Sequence, residues 1–243
     1  MAGVMVLGLG VGVGCAGGLD AGVGTPEGNL ADGGSSRPRC HAPAGFSGSP
    51  RSSQDAVALL NALPKPTSAA CFVESLDRPL SIFATSSTIS AQPALSPRSP
   101  RVFLRLDELV LSVAIDGDSS RKIEFSDLIA GDTRSIKGEL LLPLSEPVAR
   151  GALYDGVLSG TGTVCGFCHS NEEPAAMVDF PQAYSSLAFR PNVRYQVPLT
   201  TLAHENQVCD RDTEPARCEM LSAIFGGGDV IEARFSEAMT LFY

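Results

Sequence analysis

The sequence predicts a mainly β fold, either a β-sandwich or an open barrel with two short helices, in a single domain over residues 52–243. Three observations favour this class. Several short segments alternate apolar and polar residues with the period of two that is typical of strands. Turn-forming residues separate these segments, as at Asp116-Gly117-Asp118. The chain also lacks the regular succession of strand and helix that indicates a parallel sheet.

The elements follow in chain order. A first short helix is predicted from Ala56 to Leu63, because Ser53-Gln54-Asp55 can cap it and Pro64-Lys65-Pro66 stops it. A second helix is predicted from Thr213 to Phe225, with Gly226 at its end. Strands are expected at Ser81–Ser90, Arg101–Ile115, Arg121–Phe125, Ser135–Leu144, Val193–Leu199 and Val230–Phe235.

Two stretches interrupt this pattern. The alternation within residues 101–115 changes register near Asp107-Glu108, which predicts a turn or a bulge there. Residues 145–192 are rich in Gly, Pro, Asn and small polar residues and form a long irregular insertion between strands. Long irregular segments in compact domains are usually functional or disordered, so this insertion is the first place to look for a site.

Composition limits the classes of partner. The chain has 243 residues, a hydrophobic fraction of 44% and a formal net charge of −9. This apolar content requires a folded core. The acidic balance provides no basic stripe to neutralise phosphates, and we therefore expect no nucleic-acid partner.

The N-terminus indicates export. Residues 1–14 are apolar and uncharged, too short to span a bilayer, and typical of the apolar part of a signal peptide. The run ends in Val13-Gly14-Cys15-Ala16, which resembles a bacterial lipoprotein signal and implies lipidation of Cys15. Residues 15–51 are rich in Gly, Ala, Ser and Pro and are expected to form a flexible tether. The predicted location is the cell envelope, with a lipid anchor at the periplasmic or outer face of a bacterial membrane.

The chain has seven cysteines, which suggests disulfides in an oxidising compartment. With Cys15 set aside, proximity in sequence pairs Cys40 with Cys71 and Cys209 with Cys218. Sequence alone does not fix connectivity, so other pairings, including some that use Cys165 or Cys168, stay open.

The remaining pair lies in the insertion, in Cys165-Gly166-Phe167-Cys168-His169. A CxxCH motif is the attachment signature of c-type haem, because two thiols can each add to a vinyl group and the adjacent histidine can ligate the iron. On these five residues the chain resembles a monohaem c-type cytochrome. The resemblance implies covalent haem c, with thioethers at Cys165 and Cys168 and His169 as proximal ligand. Haem attachment outside the cytoplasm agrees with the export signal.

The distal side of such a haem has several candidates. Met177 lies closest to the motif in sequence, eight residues after His169, and a haem without a sixth ligand is also compatible with the sequence. Glu172-Glu173 are expected either to line the haem edge and lower its potential or to be solvated loop acids. The further distal candidates are His204, as an alternative to a surface histidine, His41, and Met220 and Met239, as alternatives to core packing.

Other interpretations of the motif stay open. The two cysteines could form a local disulfide or exchange thiols, or could bind zinc together with His169. Three segments also resemble a family of uncharacterised bacterial envelope proteins: Leu60-Asn61-Ala62-Leu63-Pro64, Cys71-Phe72-Val73-Glu74-Ser75-Leu76 and Ser90-Ala91-Gln92-Pro93-Ala94.

Two functions are therefore expected. The first is an exported monohaem c-type electron-transfer lipoprotein with a redox partner protein. The second is a non-enzymatic, disulfide-bonded envelope binding module without haem. Both are carriers or binding proteins rather than catalysts, in keeping with the absence of a GxSxG, Walker A or HExxH motif.

Overall fold

The structure is a computed structural model and describes residues 39–242. The predicted signal peptide at residues 1–14, the predicted lipidation site Cys15 and most of the predicted tether lie outside the described residues. Within residues 39–242, no helix is long and apolar enough to cross a membrane.

The predicted mainly β class is confirmed. Nine strands form one large sheet that does not close into a barrel in the described part of the chain. The described residues contain thirteen strands in all, which are β1 (Leu80–Thr85), β2 (Arg101–Leu106), β3 (Leu109–Ala114), β4 (Lys122–Ile129), β5 (Arg134–Leu141), β6 (Leu158–Ser159), β7 (Gly162–Thr163), β8 (Glu173–Pro174), β9 (Tyr184–Leu187), β10 (Phe189–Arg190), β11 (Gln196–Val197), β12 (Val230–Glu232) and β13 (Thr240–Leu241).

The large sheet has the order β11-β1-β2-β3-β4-β5-β9-β8, and β12 also pairs with β1. All of its pairings are antiparallel except that between β1 and β12. Strands β6 and β7 form a short hairpin, and β10 pairs in parallel with β13 near the C-terminus.

Five helices are present in the described residues, more than the two expected. They are α1 (Ser53–Ala62), α2 (Ala69–Glu74), α3 (Ala152–Asp155), α4 (Leu199–Val208) and α5 (Pro215–Phe225). The Ser52 side chain caps α1 by accepting the N–H of Asp55, and Ser68 caps α2 in the same way through Cys71.

Pleating gives the sheet two different faces. Side chains of one face, such as Val102, Leu104 and Ile136, are buried in the main core together with apolar residues of α1, α2 and α5. Side chains of the opposite face form a smaller cluster, in which Val110 and Leu128 are buried with Ala188 and Met239, and Phe103 and Phe235 pack against them. The second face is therefore covered by the C-terminal segment rather than by helices.

The change of register predicted near Asp107-Glu108 is a tight turn between β2 and β3. The strand predicted over residues 193–199 is mostly absent. Val193–Tyr195 is a short 3₁₀ helix in which Asn192 accepts the N–H of Arg194, and only Gln196–Val197 pairs as a strand. Pro198 then precedes α4. The apparent alternation therefore spans a 3₁₀ helix, a two-residue strand and the start of a helix.

Both expected disulfides are present. Cys40 is bonded to Cys71 with a Cα–Cα distance of 5.3 Å, and Cys209 to Cys218 with 5.6 Å. The Cys40–Cys71 bond holds the described end of the predicted tether against α2. A backbone hydrogen bond of 2.9 Å from Asp77 to Gly48 adds to this attachment.

Candidate functional site

The CxxCH motif occupies a compact turn in the predicted insertion. The hairpin β6–β7 leads into a 3₁₀ helix over Val164–Phe167. The carbonyl oxygen of Cys165 accepts the N–H of Cys168 at 3.1 Å and that of His169 at 2.8 Å. The backbone of the motif therefore folds back on its own first cysteine.

Glu172 holds this turn in place through hydrogen bonds with Thr163. Its carboxylate accepts the backbone N–H of Thr163 at 2.7 Å and also the Thr163 hydroxyl. The Thr163 hydroxyl oxygen in turn accepts the N–H of Cys165 at 3.1 Å. A Cβ added at Gly166 would lie 3.0 Å from the Glu172 carboxylate, so glycine suits this close approach.

This arrangement gives Glu172 a structural role that neither expectation for Glu172-Glu173 included. Glu173 is exposed and forms an ion pair of 3.0 Å with Arg134. Neither carboxylate lines the cavity described below.

His169 is oriented by contacts on two sides. Its Nδ1 atom lies 2.8 Å from the carbonyl oxygen of Leu187, and its ring stacks on Phe189 with a centroid distance of 4.7 Å. A carbonyl oxygen can only accept, so Nδ1 carries the proton and Nε2 keeps a lone pair. Burial lowers the pKa of His169 to about 3, with the charge of Lys137 adding to the effect. The imidazole is therefore neutral.

The two motif thiols are free, whereas the other four described cysteines are in disulfides. Cys165 is half-buried, and burial raises the pKa of its thiol while the charge of Lys137 opposes this rise. Cys168 is exposed. The Cys165 thiol is therefore partly shielded from solvent, whereas the Cys168 thiol lies at the surface.

All three motif residues line one cavity on the second face of the sheet. Its volume is about 150 Å³. Ligand pockets usually measure about 300–1,000 Å³. The apolar walls are Phe103, Phe189, Phe235, Met239 and Phe242.

Charged side chains form the floor of the cavity, and the sequence did not reveal this feature. Arg101 pairs with Glu124, and both line the cavity together with Lys137. Lys137 lies on β5 between the core residues Ile136 and Gly138, on the opposite face of the strand. Alternation predicts an exposed position for such a lysine. It is buried because the C-terminal segment and the motif loop cover this face.

The candidate distal ligands lie in different parts of the structure and differ in exposure. Met177 is 64% exposed and does not line the cavity. Met220 is buried in the main core, and His41 and His204 are exposed. Met239 is buried in the smaller cluster with Val110, Leu128 and Ala188, and it lines the same cavity as His169.

Within residues 39–242, no group of three or more His, Cys, Asp or Glu side chains is arranged to hold a metal ion. Zinc binding by Cys165, Cys168 and His169 therefore gains no support from a further ligand. Comparison with protein-family models, with curated proteins and with solved structures found no match to this chain.

Proposed function

We propose that this protein is an exported monohaem c-type electron-transfer lipoprotein, with haem attached at Cys165 and Cys168 and ligated by His169. The observation that carries the proposal is the contact of His169 Nδ1 with the Leu187 carbonyl at 2.8 Å. Metal-ligating histidines typically donate their other ring N–H in this way, which fixes the tautomer and the ring plane.

The donor set fits haem c in three respects. Both thiols of the motif are unpaired and thus able to form thioethers. The imidazole is neutral, so its lone pair is available for iron at ordinary pH. The adjoining cavity is lined in part by aromatic side chains, which can pack against an apolar ring.

When bound, such a haem supplies an iron that gains and loses one electron. The chain's own residues supply the environment. Phe189 and Leu187 hold the His169 ring, and Glu172 and Thr163 hold the loop that carries the thiols. We propose that Met239 rather than Met177 would hold the iron of a bound haem together with His169, because of these two methionines only Met239 lines the cavity. Met239→Leu would then change the absorption spectrum of the loaded protein, whereas Met177→Leu would not.

The remaining parts of the proposal rest on the N-terminal sequence. Lipidation at Cys15 would anchor the protein at the periplasmic or outer face of a bacterial membrane, where a redox partner protein would exchange electrons with it. Two disulfides in the described domain agree with an oxidising compartment.

The test is a haem stain on a denaturing gel, after expression in a periplasm that has a haem-c maturation system. The expected result is a stained wild-type band that is lost in Cys165→Ser/Cys168→Ser. The matched control is Cys209→Ser/Cys218→Ser, which removes two cysteines and leaves the motif intact, and it should stain. An unstained band from folded wild-type protein would overturn the haem proposal.

A second candidate is a disulfide-bonded envelope binding module without haem. The observation that favours it is the amphipathic cavity, whose charged floor resembles a small-molecule site more than a purely apolar haem crevice. Such a protein would be colourless and would bind a ligand without covalent modification of Cys165 or Cys168.

A further inference from the structure

Lys137 is a cation of the cavity that forms no ion pair with a described residue, although Cys165, Glu124 and Glu172 lie near enough to act on its charge. The side chain of Lys137 is only 8% exposed and lines the cavity. Its Nζ atom donates to the Ser135 hydroxyl at 2.5 Å, and no ion pair of Lys137 is found among residues 39–242. An ammonium group has three donors, so the single hydroxyl contact leaves two of them without a described acceptor.

The other charged groups around the cavity are paired with each other. Arg101 binds Glu124, and Glu139 binds Lys122 at 3.0 Å. His169 is held by the Leu187 carbonyl through its Nδ1 atom and forms no ion pair within residues 39–242. One positive charge therefore remains for a ligand.

A buried ammonium without an ion-pair partner is costly, because its hydration is lost and the single Ser135 hydroxyl replaces only part of it. We propose that Lys137 binds the carboxylate of an amphipathic ligand whose apolar body lies against the aromatic walls of the cavity. One unpaired cation matches a monoanion rather than a phosphate. The walls that would hold the apolar body are Phe103, Phe189, Phe235 and Phe242.

Two sources could provide this carboxylate. One is a free aromatic monocarboxylate, which would make the cavity a binding site independent of haem. The other is a carboxylate of haem attached at the motif. The inference concerns the chemistry that the two sources share, and it does not rest on the proposed haem function.

The first experiment uses protein produced without a haem maturation system and compares two probes of equal shape. Phenylacetate carries the charge, and phenylacetamide does not. By titration calorimetry, phenylacetate should bind at least about tenfold more tightly than phenylacetamide, as expected for a charge-assisted hydrogen bond. Lys137→Met should abolish this preference, and Arg150→Met, which removes an exposed cation outside the cavity, should retain it.

The result that would overturn the inference is equal binding of the two probes, absence of phenylacetate binding, or a preference that persists in Lys137→Met. The comparison of probes on the wild type needs no variant, so a folding defect cannot obscure it. The unfolding midpoint of Lys137→Met, which we expect to rise, shows whether that variant is folded.

The second experiment separates the two sources. Wild type and Lys137→Met are each expressed with the maturation system and stained for haem. A several-fold lower stained fraction in Lys137→Met, together with Lys137-dependent phenylacetate binding in the first experiment, identifies a haem carboxylate as the partner of Lys137. Equal staining, or none in either protein, together with Lys137-dependent phenylacetate binding, identifies a free monocarboxylate. If the wild type does not stain, this result by itself overturns the haem proposal. It leaves the carboxylate site standing.

Discussion

The Nδ1 atom of His169 and the carbonyl oxygen of Leu187 lie 2.8 Å apart, which joins the CxxCH loop to the end of β9. Strand β9 pairs with β5, the strand that carries Lys137. The His169 imidazole and the Lys137 ammonium group are therefore both held by the paired strands β5 and β9. A binding site built on strands keeps its geometry better than one built on a loop alone.

The first prediction concerns the stability of the haem-free protein in mild acid. The pKa of His169 is about 3 in the folded chain and about 6.5 in an unfolded one. As the pH falls below about 6.5, the unfolded state binds a proton that the folded state does not, so stability decreases. The loss is about 1.4 kcal/mol for each pH unit, or roughly 2 kcal/mol at pH 5.

Urea unfolding of wild type and His169→Gln at pH 7 and pH 5 measures this effect. The variant should lose less stability between the two pH values than the wild type. His204→Gln, which changes an exposed histidine, should behave as the wild type does. An identical acid loss in wild type and His169→Gln would contradict the prediction.

The second prediction is that Lys137→Met stabilises the protein at neutral pH. Burial lowers the pKa of Lys137 to about 8, against about 10.4 in an unfolded chain. Below pH 8 the folded state therefore bears a cost of roughly 3 kcal/mol, and this cost decreases as the pH rises towards 10.4. The gain in urea stability from Lys137→Met should accordingly be large at pH 7 and small at pH 10. A gain that is the same at both pH values would show that packing, rather than charge, is responsible.

The third prediction concerns Glu172 and the reactivity of the thiols. Glu172→Ala removes the acceptor for both the N–H and the hydroxyl of Thr163, and through it the support of Cys165. The half-buried Cys165 should then react several-fold faster with iodoacetamide, as followed by mass spectrometry. Glu173→Ala is the matched control, because it removes an exposed carboxylate from the next position, and it should leave the rate unchanged.

The fourth prediction compares the two disulfides. Loop-closure reasoning gives about 2.7 kcal/mol for Cys209–Cys218, with a sequence separation of 9, and about 3.7 kcal/mol for Cys40–Cys71, with a separation of 31. Cys40→Ala/Cys71→Ala should therefore lower the free energy of unfolding by about 1 kcal/mol more than Cys209→Ala/Cys218→Ala. The reverse order in urea unfolding would mean that contacts around Cys209 dominate, such as that with the buried Arg217 at 3.5 Å.

Sequence reasoning succeeded where a signal is local. The change of register near Asp107-Glu108 predicted a turn or a bulge, and a turn joins β2 and β3 there. Cysteine proximity predicted both disulfides. Sequence reasoning failed for residues 193–199, because Val193 and Tyr195 mimic a strand while belonging to a 3₁₀ helix, and it did not predict α4.

The cavity was beyond local patterns for a different reason. Lys137 has the polar position of an alternating strand, and Met239 is distant from the motif in sequence. Only the return of the C-terminal segment across the sheet buries both of them in one cavity with His169. A signal of this kind arises from tertiary contacts, and no window of a single sequence contains it.

The Cys40–Cys71 disulfide has a mechanical consequence. A force that pulls the chain from the N-terminal side of Cys40 passes through the sulfur–sulfur bond directly to Cys71 in α2. Residues 41–70, including the whole of α1, lie inside the closed covalent loop and bear no tension. If the chain is anchored through Cys15, as proposed, drag at that anchor would load the domain at α2 and leave the first helix unstretched.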